Sequence, residues 1–111
     1  MGLQEKQLGQ LRPADANAAS IYSPGADTTA IVRNITVANL TANALTFSIF
    51  HDDDGTTYDE TTALFFTVRI EKNQTVQLTA YAAMNNSSGN LAVQTSVANA
   101  INFTVYGAEV T

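Results

Sequence analysis

The densest chemical feature of this 111-residue chain is an acidic segment, residues 51–60, with the sequence HDDDGTTYDE. It holds five of the chain's ten carboxylates within nine positions. Calcium prefers oxygen ligands and takes about six to eight of them, and carboxylates are common among those ligands. The candidate metal ligands in this segment are Asp52, Asp54, Asp59 and Glu60.

The spacing of these carboxylates differs from that of a helix–loop–helix calcium site. Gly55 follows three consecutive aspartates directly, and no helix is predicted on either side. The pair Asp54-Gly55 is typical of a turn, in which aspartate side chains accept hydrogen bonds from nearby backbone amides. The sequence therefore predicts a solvated acidic turn without a bound metal, and calcium binding is the alternative.

Residues that could perform catalysis are few. His51 is the only histidine, so a histidine-based acid–base scheme or a Ser-His-Asp triad would have to centre on it. The chain has no cysteine, and therefore no thiolate nucleophile or thiolate metal ligand. The sequence also lacks a glycine-rich phosphate loop. We expect a protein that is not an enzyme and that needs no cofactor.

The charge balance limits the classes of partner that the chain can bind. Five Lys and Arg residues against ten Asp and Glu residues give a net charge of −5 and an isoelectric point near 4.4. Such a balance repels nucleic acid and anionic membrane surfaces. No apolar run is long enough for a membrane span, and the polar start MGLQEKQLGQ does not resemble a signal peptide. We expect a protein made in a cytoplasm that binds neither nucleic acid nor membranes.

From residue 17 onward, apolar and polar residues alternate in short runs separated by turn residues. This period of two is typical of half-buried β-strands. The fold class predicted is all-β: a single antiparallel β-sandwich or jelly roll of seven to eight strands over residues 17–111. The predicted strands cover residues 18–22, 29–40, 45–51, 64–70, 76–80, 91–97 and 101–106.

Residues 1–16 show no such alternation and are predicted to form an N-terminal arm outside the sandwich. Gly9 and Pro13 limit any helix in this stretch. Its apolar and basic side chains are expected to anchor the arm in an assembly rather than to stabilise the fold. These anchors are Leu3, Leu8, Leu11 and Arg12.

Two further observations bear on association. Arg33 and Arg69 interrupt apolar strands, and each is expected either to pair with a carboxylate of its own chain or of a neighbouring subunit, or to protect a sheet edge. Val32, Phe50 and Phe65 alternate onto the faces opposite the main apolar stripes. Because those residues need cover, the pattern predicts a homo-oligomer, with a homotrimer preferred.

Six segments after residue 17 carry a resemblance to known proteins. They are residues 18–24, TAIVRNI (29–35), FSIFHDDDGTTYDE (47–60), ALFF (63–66), NLAVQ (90–94) and NAINFTVYG (99–107). Through them, most of the chain after residue 17 resembles a family of small structural proteins from the virions of tailed bacteriophages. The resemblance implies a virion β-sandwich without catalytic residues, of a kind described as head decoration (cement) or as tail-associated.

The resemblance does not fix the location in the virion. Of the roles that it leaves open, we expect first a capsid decoration protein on the outer surface of the head, with the major capsid protein as its partner. A tail- or fibre-associated structural protein is the second interpretation. A carbohydrate- or calcium-binding β-sandwich module is the third.

Overall fold

Eight antiparallel strands make up most of the computed structural model, which describes residues 2–111. They pack as two four-stranded sheets, so the prediction of an all-β antiparallel sandwich is confirmed. The chain contains no helix across this range, and therefore none that could cross a membrane. The strands are β1 (Leu3–Leu11), β2 (Ala19–Tyr22), β3 (Thr29–Asn39), β4 (Leu45–Asp52), β5 (Ala63–Ile70), β6 (Thr75–Met84), β7 (Asn90–Thr95) and β8 (Ile101–Val110).

The strand order places sequence-distant strands side by side. Sheet 1 has the order β1-β8-β3-β6, and sheet 2 has the order β2-β7-β4-β5. Strand β1 contacts β2 across the sandwich, which closes one side. The outer strands β6 and β5 form the opposite side. Every hydrogen-bonded pair of strands is antiparallel.

The core lies between the sheets and is built from alternate residues of each strand. Phe47 of β4 meets Phe103 of β8 edge to face, with ring centroids 6.0 Å apart. Fully burying one large apolar side chain contributes about 1.5–3 kcal/mol to the free energy of folding. The apolar layer between the sheets is therefore the main source of stability. The largest fully buried side chains are Phe47, Phe50, Phe103, Ile35, Ile49, Ile70, Met84, Leu91, Ile101, Val32, Val37 and Val93.

Hydrogen bonds link the loops at one end of the sandwich to one another. The buried Asn39 amide donates from Nδ2 to the carbonyls of Asn43 (2.8 Å) and Glu71 (3.0 Å). The backbone N–H of Asn99 donates to the Pro13 carbonyl at 2.9 Å, and this bond holds the connection between β1 and β2 in place. These bonds satisfy backbone groups that the strand ladders leave open.

The prediction of an N-terminal arm outside the sandwich is wrong for residues 3–11, because they form β1. This strand pairs with β8 from Leu3↔Val110 to Leu11↔Phe103. The remainder, residues 12–16, belongs to the connection between β1 and β2. Met1, which the same prediction included, lies outside the described residues.

The anchor residues of the predicted arm have separate roles in the structure. Leu8 and Leu11 pack against the core, although a regular strand places residues three apart on opposite faces. A shift of register between Gln7 and Gly9 brings both leucines inward. The same shift removes the alternation by which the strand would have been recognised. Leu3 is 61% exposed and Arg12 is also exposed.

The three residues that suggested a trimer are covered within one chain. Val32 and Phe50 are fully buried, and Phe65 is half-buried against the core. Val32 faces inward because the register of β3 shifts immediately after it. Phe50 lies on the other face of sheet 2, where Tyr58 and Phe66 pack against it. These residues therefore give no reason to expect a trimer.

We predict that Leu8→Ala lowers the free energy of unfolding by about 1–3 kcal/mol, because it removes apolar surface from the core. The control Leu3→Ala changes an exposed side chain of the same strand and should stay within about 0.5 kcal/mol of wild type. Urea denaturation measures both. Two equally small effects would show that β1 is not part of the cooperative fold.

Candidate functional site

Asp52, the last residue of β4, organises the acidic segment. Its carboxylate is buried and accepts hydrogen bonds from the Thr57 amide at 2.7 Å and the Asp54 amide at 3.3 Å. Both bonds stabilise the charged carboxylate and hold the pKa of Asp52 below its ordinary value. The bond from the Thr57 amide has the larger effect. The segment is thus a turn in which aspartate accepts bonds from local amides, but Asp52 is not solvated as the sequence suggested.

The rest of this segment covers part of the outer face of sheet 2, over Phe50. The Tyr58 ring lies 6.2 Å from the Phe50 ring, and the Asn90 side-chain amide donates to the Gly55 carbonyl at 2.8 Å. A methyl group on Gly89 would come within 2.6 Å of the Asp53 carbonyl oxygen, so only glycine allows this approach. The segment therefore serves as a cover for the strands beneath it.

The four candidate metal ligands are not gathered around one point. Both oxygens of Asp52 accept bonds from backbone amides, and Asp59 accepts from the amide and hydroxyl of Thr61. The Thr61 bonds hold the pKa of Asp59 below its ordinary value. Asp54 and Glu60 are exposed. Within residues 2–111, no group of three His, Cys, Asp or Glu side chains is arranged to hold a metal ion.

His51 has no reactive partner in the described part of the chain. Its Nε2 atom is buried without a hydrogen bond there and lies 3.9 Å from an Asp53 carboxylate oxygen. No serine or threonine hydroxyl is placed for this nitrogen to activate, as a triad requires. The geometry of His51 supports no catalytic scheme.

The two arginines that interrupt apolar strands have different surroundings. Arg69 pairs with Glu71 on its own chain, with Nε 2.6 Å from Oε2. The pair raises the pKa of Arg69 and lowers that of Glu71, in each case mainly through their hydrogen bond. Arg33 is exposed and makes no ion pair with any residue between 2 and 111. Of these two arginines, Arg33 is therefore the one without a carboxylate partner among residues 2–111.

Arg33 sits where the sheet is irregular. Strand β3 shifts register between Val32↔Gly107 and Asn34↔Tyr106, which leaves Arg33 as an extra residue. On the other side of β8, strand β1 shifts next to the same Tyr106. A β-bulge re-aims a side chain and is common beside functional sites. Two bulges thus flank one point of β8.

Gly107 explains how the three strands fit together at this point. A methyl group there would lie 2.1 Å from the Ile31 carbonyl oxygen and 2.9 Å from Cδ1 of Leu8. Any larger residue would force the neighbouring strands apart. The glycine therefore permits the close approach around which both bulges form.

A groove of about 420 Å³ opens beside the bulges, and we call it the Arg33–Tyr106 groove. The Tyr106 side chain is 45% exposed, and Tyr81 of β6, the strand next to β3, is 75% exposed. Arginine can bind a carboxylate through two hydrogen bonds, and tyrosine offers a flat apolar ring with a polar tip. The groove is lined by Glu5, Lys6, Gln7, Arg33, Tyr106 and Gly107.

Glu109 of β8 links this strand to β1 and β2. It accepts a hydrogen bond from the Tyr22 hydroxyl of β2 and lies 2.8 Å from Nζ of Lys6 of β1. Lys6 and then Tyr22 hold the pKa of Glu109 below its ordinary value, while burial raises that of Tyr22. Lys6 therefore already has a carboxylate partner, whereas Arg33, the other cation of the groove, has no ion pair within the described residues 2–111.

No protein-family model matches the chain, and no curated protein is significantly similar to it.

We predict that the folded chain loses stability in acid because the Asp52 carboxylate becomes protonated. Since its pKa is lower in the folded chain, the ionised carboxylate stabilises the fold above the unfolded value of about 3.9, and this stabilisation is lost as pH falls through the folded value. Asp52→Asn should lower the melting temperature by several degrees at neutral pH and flatten its decline below about pH 4.

Asp53→Asn is the matched control, because Asp53 is exposed and the charge change is the same. Thermal unfolding followed by circular dichroism at several pH values measures both variants. Equal melting temperatures for the two variants at neutral pH would contradict the role given to Asp52.

Proposed function

We propose that this chain is a structural protein of a phage virion that decorates the outside of the capsid. It would dock through the outer face of sheet 1, with the major capsid protein as its partner. The observation that carries this proposal is the exposed guanidinium of Arg33 in a groove beside an exposed tyrosine, on a chain with a net charge of −5.

The residue types in the groove favour a protein partner. Tyrosine and arginine are enriched among the few residues that dominate binding energy at protein interfaces. Arg33 would meet a carboxylate of the partner, which is one of the three roles that its position in the sequence left open. The acidic charge elsewhere on the chain disfavours the packaged genome as the ligand.

The dimensions of the molecule fit such an interface. The sandwich extends 45 × 25 × 20 Å, so its broad face can supply the roughly 800 Å² per partner of a standard protein complex. Tyr81 extends the exposed aromatic surface beyond the groove toward the edge of the sheet. A rigid sheet face also limits the side-chain entropy lost on docking.

The connectivity of the strands is compatible with this role. The orders β1-β8-β3-β6 and β2-β7-β4-β5 are those of a jelly roll, a fold found in viral capsid proteins and in lectins. Fold alone does not assign function, so this agreement supports the proposal without carrying it. A tail- or fibre-associated protein could dock through the same face and is the alternative.

We predict that Arg33→Ala and Tyr106→Ala each weaken binding to particles assembled without this protein by about thirtyfold, the loss expected at an interface hot spot. Both side chains are exposed, so both variants should fold normally. Co-sedimentation of purified protein with particles measures the binding.

Arg69→Ala removes the same charge from an arginine that is paired within the chain, and it should bind like wild type. Wild-type affinity for both groove variants would refute docking through this face. Equal losses of affinity for Arg33→Ala and Arg69→Ala would show that binding depends on net charge and not on the groove.

A further inference from the structure

A second cavity, of about 210 Å³, lies on sheet 2 and is distinct from the Arg33–Tyr106 groove. We call it the hydroxyl pocket, because hydroxyl and amide side chains dominate its lining. It is bounded by β4, β5 and β7 and by Ala16 of the connection between β1 and β2. The polar lining residues are Thr46, Ser48, Thr67, Gln94, Thr95 and Ser96.

Thr67 in this pocket has a backbone conformation that its side chain disfavours. Its φ of 50° lies in the left-handed region, where a β-branched residue is an outlier. The other non-glycine residues with positive φ among residues 2–111 are Asp27, Asn73 and Asn99, of types that tolerate it. Strain of this kind clusters at functional sites and persists only where the surrounding structure holds the residue in place.

The strained backbone changes the hydrogen bonding within the pocket. The Thr67 amide donates to the Ser48 hydroxyl oxygen at 2.8 Å, and the Thr46 amide donates to the Ser96 hydroxyl oxygen at 3.1 Å. Each serine thus accepts a bond and keeps its own proton to donate. The Gln94 amide nitrogen donates to the Ala16 carbonyl at 3.0 Å, which leaves its oxygen as an acceptor. Uncharged donors and acceptors therefore occur side by side.

This lining selects a chemical class of ligand. It contains no carboxylate or histidine to hold a metal and no cation to hold an anion. It is also too polar for an apolar ligand. Hydroxyl groups, which both donate and accept, match such a lining. We propose that the hydroxyl pocket binds one ring of a neutral saccharide.

The place of the pocket makes this activity separable from docking. The Arg33–Tyr106 groove belongs to sheet 1 and the hydroxyl pocket belongs to sheet 2. A molecule that docks by the outer face of sheet 1 keeps this pocket accessible. Saccharide binding does not require the proposed docking role, and either can fail without the other.

The test is a titration of ¹⁵N-labelled protein with glucose, galactose, mannose and N-acetylglucosamine, followed by amide chemical shifts. We expect saturable shifts at Thr67 and Ser96 with at least one sugar, with a dissociation constant in the millimolar range. Thr67→Gly should raise the melting temperature by relieving the φ strain, and should weaken binding about three- to tenfold by removing a hydroxyl.

Asn73→Gly is the matched control, because Asn73 also has positive φ but lies outside the pocket. It should leave sugar binding unchanged. Gln94→Leu provides a second variant and should weaken binding by a similar factor. The proposal is overturned if none of the four sugars produces saturable shifts, or if Thr67→Gly and Gln94→Leu both bind like wild type.

Discussion

The close approach of three strands at Gly107 is the constraint on which the rest of this structure depends. No side chain fits there, since a methyl group would lie 2.1 Å from the Ile31 carbonyl oxygen. Beside this point, β1 and β3 each carry a residue that has no counterpart on β8. The extra residue of β1, Leu8, packs against the core, and the extra residue of β3, Arg33, is exposed. The extra residues on the two sides of this close approach thus contribute to the core and to the groove, respectively.

The two sheets differ in what their outer faces leave available. On sheet 2, Phe50 lies under Tyr58, whose loop is held in place by the amide bonds of Asp52. The acidic residues therefore stabilise the fold of their own segment. On sheet 1, Tyr106 and Arg33 are exposed. Acidic side chains that are prominent in the sequence, Asp52 among them, are therefore bonded within the chain, while Arg33 and Tyr106 are open to solvent.

Alternation along the chain predicted the all-β sandwich, because most inward-facing residues recur at every second position. Alternation failed where a bulge reverses which residues of a strand point inward. For this reason β1 was not recognised as a strand, and Val32 was assigned to the wrong face of β3. The sequence marked Arg33 as unusual but gave no sign of Tyr106 beside it. That juxtaposition depends on the registers of β1, β3 and β8, which lie far apart in sequence. Pairing of strands over such distances cannot be derived from local pattern.

We propose above that the outer face of sheet 1 binds a capsid. Electron cryomicroscopy of particles carrying this protein, at a resolution that separates the two sheets, tests it most directly. We predict density for the sandwich on the outside of the head shell, with Arg33 and Tyr106 against the major capsid protein and sheet 2 directed outward. A sandwich that contacts the shell through sheet 2, or that is found only on the tail, would contradict the account.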